Sequence, residues 1–259
     1  MKVSIITSCY NREATIRDAI RSVLAQDYPD IEYIIVDGAS TDGTQKVIED
    51  LIKDKPAHID IKYISEPDSG MYEALNKGIR IATGDVIALL HSDDVMYDSH
   101  TVSDVVKEVE RTNCDFLYAD GLFVNAERTD KIVRNWIGGR YSKWKVRHGW
   151  LPLHPTCYIR RDVMIQLGLY DESYRIAADT DLLVRYLLEN TLSVEYLKRY
   201  VVRMRMGGLS TDNSRRAKMW KEDIRVYRSH GFKHVTLTKI EKMMWKVPQF
   251  IKAKLKNTN

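Results

Sequence analysis

Apolar residues over the first hundred positions fall into two alternating periods. Short β-branched runs at residues 3–8 (VSIITS), 31–37 (IEYIIVD), 61–65 (IKYIS) and 85–90 (DVIALL) are bounded by Gly, Asp or Asn, the pattern of buried strands. Between them the spacing turns helical. Ile16, Ala19, Ile20, Val23 and Leu24 share one face, as do Met71, Ala74, Leu75, Gly78 and Ile79, and then Val102, Val105, Val106 and Val109. This alternation predicts an α/β fold with a mainly parallel sheet flanked by helices. Farther along, TCYI from Thr156 reads as a strand and is followed by a short helix. Gly168-Leu169-Tyr170-Asp171 reads as a turn, and a helix carries Leu182, Leu183, Tyr186 and Leu187 on one face. Residues 120–150 follow neither period and are expected to form an irregular, acceptor-facing insertion or linker; nothing in the pattern accounts for Trp136, Trp144 and Trp150.

Ligands of parallel sheets bind beyond the carboxyl ends of the strands, so the segments after each strand carry the chemistry. They are Ser8-Cys9-Tyr10-Asn11, Asp37-Gly38-Ala39-Ser40-Thr41-Asp42-Gly43-Thr44, Glu66-Pro67-Asp68-Ser69-Gly70 and His91-Ser92-Asp93-Asp94. Any one of these is accounted for by ordinary turn and capping chemistry. Four of them at one sheet edge indicate a site. The adjacent carboxylates of Asp93 and Asp94 invite a hard divalent cation, Mg²⁺ or Mn²⁺, whose remaining ligands would be water and a diphosphate. Asp37 is placed to accept a hydrogen bond from a base or a ribose hydroxyl. Tyr10 either stacks on that base or plugs the sheet edge. Cys9 reads as a small buried apolar residue, since no histidine lies near enough in sequence to activate it.

Composition narrows the classes. Cys9, Cys114 and Cys157 are three widely spaced cysteines without a CxxC pair, which suggests neither a disulfide framework nor a thiolate zinc site. No glycine-rich loop follows the first strand and no GxGxxG follows any strand, which argues against a sugar nucleotidyltransferase and an NAD-linked enzyme. Neither a signal peptide nor a run long enough to span a bilayer is visible, so a cytoplasmic setting is expected. The net charge of +4 is uneven: residues 201–259 hold 15 Lys and Arg against 4 Asp and Glu, net +11, leaving −7 for the rest.

The segments VSIITSCYN, IIVDGASTDGT, SEPDSGMYEALNKGIRIATGD, LLHSDD and IAADTDLLVRYL, in this order, resemble the family 2 glycosyltransferases of GT-A (Rossmann-like) fold over roughly residues 3–210. The EPDxGxYxAxNKGI stretch and the late Gly207-Gly208-Leu209-Ser210 are similar to the branch that assembles bacterial surface polysaccharides (capsule, exopolysaccharide or O-antigen). The resemblance implies an inverting, metal-dependent hexosyl or other glycosyl transfer from a nucleoside-diphosphate sugar, UDP favoured, to a hydroxyl of a glycan or lipid-linked glycan. It assigns Ser8 and Tyr10, with Asn11 beside them, to the first nucleotide-contacting loop. Asp37 falls to base recognition, Asp68 to the donor loop, Ser92 and Asp93 to the metal motif and Asp94 to direct metal ligation. Asp179 matches the general base. His154, Gly208 and Ser210 are further candidates for the phosphate or acceptor side. The motif departs from the family at Ser92, where DxD begins with Asp, and at Ala178, where a second carboxylate is usual. The second departure leaves a non-catalytic nucleotide-sugar-binding module or pseudoenzyme as the alternative. Asp181 has a structural account, an (i, i+4) ion pair with Arg185.

These assignments divide the chain into a catalytic domain, residues 1–210, with a nucleotide-binding half (1–119) and an acceptor-binding half (120–210), and a helical, basic extension over 211–259. In the extension Ile240, Met244, Val247, Ile251 and Leu255 share a face, with Trp245 and Phe250 at its boundary. Lys239, Lys242, Lys246, Lys252, Lys254 and Lys256 populate the remainder, and Pro248 should interrupt the helix. Two readings stand: a peripheral element on an anionic, cytoplasmic membrane surface, or a helix packed on the domain with a solvated lysine face. Nucleic acid is not expected, since the tail carries no recognised binding module.

Overall fold

A computed structural model describes residues 1–207 and 216–257. The first four strands, β1 (Val3–Cys9), β2 (Ile31–Asp37), β3 (Ile59–Ser65) and β4 (Val86–Leu89), alternate with helices α1 (Ile16–Leu24), α2 (Thr44–Ile52) and α3 (Met71–Ile81). There follow β5 (Val95–Met96), α4 (Thr101–Thr112), β6 (Phe116–Val124), β7 (Ile132–Trp136), α5 (Lys143–Arg147), a 3₁₀ turn at His154–Thr156, β8 (Cys157–Arg160), α6 (Arg161–Leu167), α7 (Ala178–Leu188) and β9 (Val194–Arg205). The extension forms α8 (Arg216–Ser229), α9 (Val235–Met244) and α10 (Val247–Asn257).

The strands make one sheet in the order β3-β2-β1-β4-β8-β6-β9-β5, with β7 paired to β6. Strands β1 to β4 are parallel, β8 runs antiparallel between β4 and β6, and β9 is parallel to β6. Register places Cys9 opposite Asp37 and Asp37 opposite Ser65, so three strands end level and their loops open at one edge. Successive residues supply opposite faces. Ile6, Ile34 and Val36 pack with α3 and α7 on one side; Ile5, Tyr33 and Ile35 pack with α1 and α4 on the other. Gly78 lets α3 approach β1: a Cβ there would lie 2.6 Å from Ile6 Cγ2.

Residues 120–150 are not the irregular insertion that their pattern predicts. Asp120–Val124 completes β6, every residue of which is buried, and β7 and α5 follow. A strand buried on both faces shows no alternation. The polar Asp120 that interrupts its apolar run is satisfied by Tyr196 Oη and Gly138 N, both at 2.8 Å. The tryptophans have separate tasks. Trp150 packs edge-on against Tyr118, Trp136 lies under the Arg134 guanidinium, and the exposed Trp144 stacks on His148. The 12-residue β9 and the helix α2 also escape the sequence pattern. As expected from spacing, Arg185 pairs with Asp181 at 3.3 Å.

The extension packs on the domain. The chain breaks between α9 and α10, with Pro248 in the first turn of α10, where its missing N–H is harmless. Gln249 accepts from Arg134 Nε on β7 at 2.5 Å, and Trp245 Nε1 donates to the His148 carbonyl at 2.9 Å. The solvated lysine face is overturned at two positions: Lys239 is 5% exposed and Lys242 points inward to α7 and α8. The shared apolar face, with Leu237 and Met243 joining Ile240, Met244, Val247, Ile251 and Leu255, is exposed instead.

Candidate functional site

The loops at the level strand ends hold one another through side chains. Asp37, fully buried at the end of β2, accepts from Ser40 N at 3.0 Å, from Ser65 Oγ at 2.7 Å and from the Ser40 hydroxyl. Cys9 Sγ lies 3.6 Å from the same carboxylate, and burial together with that charge raises the Cys9 thiol far above its ordinary range; it is no nucleophile. Asn11, in the left-handed region at φ 52°, ties the first loop to the second: its N–H donates to Ser40 Oγ at 2.8 Å and its Oδ1 accepts from Thr41 N at 2.9 Å. Ser8 is buried beneath this loop, and Tyr10 stands 56% exposed above it, free of the plugging role. Asn11, Arg12, Glu13 and Asp42 line an open cleft of about 410 Å³. Asp68 reaches the second loop because residue 38 is Gly, where a Cβ would sit 2.6 Å from Asp68 Oδ2; burial raises the Asp68 carboxyl.

After β4 the chain turns at His91, whose carbonyl accepts from Asp94 N at 3.0 Å. Ser92 and Asp94 are buried, while Asp93 is half-exposed. Asp94 Oδ1 accepts from the β9 backbone N–H of Arg205 at 3.1 Å, and Asp94 Oδ2 is buried without a protein partner. Burial, and then the neighbouring Asp93 charge, raise the Asp94 carboxyl well above the usual range. A buried, unpartnered carboxylate oxygen beside a second carboxylate fits a divalent cation, which would relieve both penalties. Among the described residues no three His, Cys, Asp or Glu side chains gather into a complete cage, so the other ligands would come from water and a bound diphosphate.

Asp179 lies in the first turn of α7. Thr180 N donates to its Oδ1 at 2.7 Å, and Tyr72 Oη, which donates to the Ile176 carbonyl at 2.6 Å, stands 3.5 Å from the same oxygen. Burial raises the Asp179 carboxyl, and Lys242 of α9 pulls it back down. His91, whose imidazole is lowered by burial, is raised in turn by the charges of Asp93 and Asp179, one from the loop after β4 and one from the first turn of α7. His154 is buried with its ring 6.0 Å from that of His91 and its Nε2 2.7 Å from Tyr170 Oη. Burial pushes His154 down to about 3, which leaves a neutral spacer. Gly208 and Ser210 lie outside the described residues.

Sequence reasoning missed His91, Tyr72, the Arg205 backbone and the extension's contribution. His91 and Tyr72 sit inside the LLHSDD and MYEALNKG segments and were legible there. Asn76 of the latter clamps the turn before α7, donating to Tyr170 O at 2.9 Å and accepting from Tyr170 N at 3.0 Å. Glu222 of α8 accepts from Ile176 N at 2.8 Å and Ala177 N at 3.0 Å, capping α7 from another element, and no local pattern signals that.

The model of the family described as Glycosyl transferase family 2 matches residues 4–168. An uncharacterized glycosyltransferase of Nostoc is 42% identical over 107 residues, covering 41% of this chain and 32% of that protein, a third of its length. The PGL/p-HBAD biosynthesis glycosyltransferase of Mycobacterium bovis is 28% identical over 80% of this chain and 78% of its own. Among solved structures, S. aureus TarS 1-349 in complex with UDP-GlcNAc superposes with a TM-score of 0.69 at 18% identity, over 87% of this chain and 65% of that one. The mannosyltransferase PcManGT from Pyrobaculum calidifontis, in complex with GDP-Man and Mn²⁺, gives 0.68 at 17%, over 97% and 73%. At these identities the likeness is one of fold, and that fold is GT-A.

Proposed function

This chain belongs to glycosyl transferase family 2, and from that premise we propose that it is an inverting, metal-assisted enzyme moving a sugar from a nucleoside diphosphate to an acceptor hydroxyl. The observations that support this reading are two unlike carboxyls near His91: Asp94, in the turn that His91 opens, with a buried oxygen that lacks a protein partner, and Asp179, which accepts from Thr180 N and whose charge acts on His91. A divalent cation on Asp94, Mn²⁺ or Mg²⁺, would neutralise charge on the departing diphosphate. Asp179 receives the acceptor proton as the acceptor oxygen attacks the anomeric carbon and the sugar–phosphate bond breaks. The attack comes from the face opposite the leaving group and inverts the centre. Asn11, Tyr10, Asp68 and the Asp37–Ser40 loop would receive the nucleotide, Asp37 setting the loop that faces the base.

UDP is the favoured carrier, supported by the UDP-GlcNAc complex of TarS; GDP-Man on PcManGT makes GDP the first competitor. The acceptor reading is a glycan or lipid-linked glycan in surface polysaccharide assembly. Among the described residues no helix is long and apolar enough to cross a membrane. The exposed face of α9 and α10, lined by Ile240, Met243, Met244, Val247, Phe250, Ile251 and Leu255 with Lys252 and Lys254 exposed on α10, supports peripheral attachment to an anionic surface.

A thermal-shift series with UDP, GDP, dTDP and CMP, each with and without Mn²⁺, tests the donor site. One nucleoside diphosphate at about 100 times its Kd should stabilise the fold by roughly 2.7 kcal/mol. Asp94→Ala should abolish the metal-dependent part of that gain. No shift with any nucleotide overturns the donor assignment, and binding without slow donor hydrolysis returns the chain to a binding module.

A further inference from the structure

We propose that Lys242, supplied by the C-terminal extension, is a positioning residue for the Asp179 carboxylate, so that the extension completes the base. The proposal rests on Asp179 acting as that base. Lys242 Nζ donates to Thr180 Oγ1 at 3.0 Å and to Asp223 Oδ1 at 3.0 Å, and Lys239 Nζ pairs with the other Asp223 oxygen. Thr180 is the residue whose N–H holds Asp179, so the lysine reaches the base through a single side chain.

Asp223 is 1% exposed and the Lys242 side chain 17%. Burying two ammonium groups costs several kcal/mol each in a protein interior unless their charges are matched. Asp223 matches one. Asp179 is the carboxyl that matches the other, and the set Lys239, Lys242, Asp223 and Asp179 is neutral only when Asp179 is ionised. Of the other titratable neighbours, Glu222 of α8 is engaged by the Ile176 and Ala177 N–H groups. Tyr72 of α3, Tyr170, Tyr227 of α8 and Cys157 of β8 are all raised by burial and stay uncharged, and His91 is lowered by burial. Lys246, one turn on, is pushed down to about 7 by burial and by Lys242, so below that pH it adds a further positive charge that an ionised Asp179 helps to match. Burial raises Asp179, Lys242 is the first influence that lowers it, and Asp223 raises it again.

The experiment is the pH dependence of acceptor transfer by the full chain and by Lys242→Gln, Lys242→Arg and Asp223→Asn, each checked for donor-induced thermal stabilisation. A base works deprotonated, so its carboxyl defines the acid limb of the profile. Lys242→Gln should move that limb up by about one pH unit, the effect of losing a nearby opposite charge, and lower transfer about tenfold at pH values on the limb, with little change on the plateau and the donor KM unchanged. Lys242→Arg should leave the limb in place. Asp223→Asn should move it down, because the nearby like charge is gone. A lysine that only holds α9 to α7 would leave the limb unmoved in the first variant or move it alike in both, and either result overturns the proposal. If Lys242→Gln does not fold, the opposed behaviour of the arginine and asparagine variants decides. Full transfer by Asp179→Asn would instead overturn the base assignment itself.

Discussion

Helices α1 and α9 have nearly the same length and rest on the same domain with opposite polarity. The first buries Ile16, Ala19, Ile20 and Val23 and turns Arg17, Asp18 and Arg21 outward. The second buries Thr238 and Lys239, directs Lys242 inward and exposes Leu237, Ile240, Met243 and Met244. Apolar burial orients α1, at roughly 25 cal/mol per Å² removed from water. Matched charge at α7 and α8 orients α9. An amphipathic period therefore states that a helix has two faces; which face turns inward depends on what waits there.

Asp179→Asn separates the two cases most sharply. If the inward face of α9 serves chemistry, this substitution leaves the fold and donor binding intact while transfer falls by about 10²- to 10⁴-fold, the usual contribution of a positioned base. Steady-state transfer and a donor-induced thermal shift, measured on one preparation, check both halves. Undiminished transfer would reduce α9 to a structural helix like α1.

The same contrast explains what the chain discloses before it folds. Strands β1, β2 and β4 were legible as short β-branched runs and helices α1, α3 and α4 by their local apolar period, and the strand-end motifs brought Asp37, Asp68, Asp93 and Asp94 into view. Strand β6 was not, since Asp120 and Gly121 interrupt the apolar run that discloses the equally buried β1, β2 and β4. The support of Asp179 was hidden for another reason. Glu222 and Lys242 reach the start of α7 from more than 40 residues away, with Asp223 holding the lysine, and neither a capping box nor an (i, i+4) rule has that range. In the extension the sequence showed the correct stripe, yet the expectation that its lysines face water failed at Lys239 and Lys242.

A packing comparison comes next in size. Ile20→Ala removes a fully buried side chain of α1 and should cost about 2–5 kcal/mol in denaturant unfolding. Met244→Ala on the outer face of α9, where the side chain is 65% exposed, should change stability by no more than about 0.5 kcal/mol. Equal costs would mean that the outer face of α9 is buried in solution by contacts that the isolated chain lacks.

The smallest expected effect tests what that outer face is for. Residues 231–257 contain seven lysines and one acid, Glu241, so a second copy laid on the stripe would oppose lysine to lysine, whereas an anionic bilayer meets both the apolar side chains and the charge. Ile240→Asp with Met244→Asp should lower partition onto phosphatidylserine-containing vesicles about tenfold, while donor hydrolysis in solution stays unchanged because both side chains are exposed on the outer face of α9. Wild-type binding should also weaken as ionic strength rises, since surface attraction decays within a Debye length of about 10 Å at 0.1 M salt. Wild-type partition by the double variant would remove the bilayer as the occupant, and concentration-dependent dimerisation lost in that variant would install a second copy in its place.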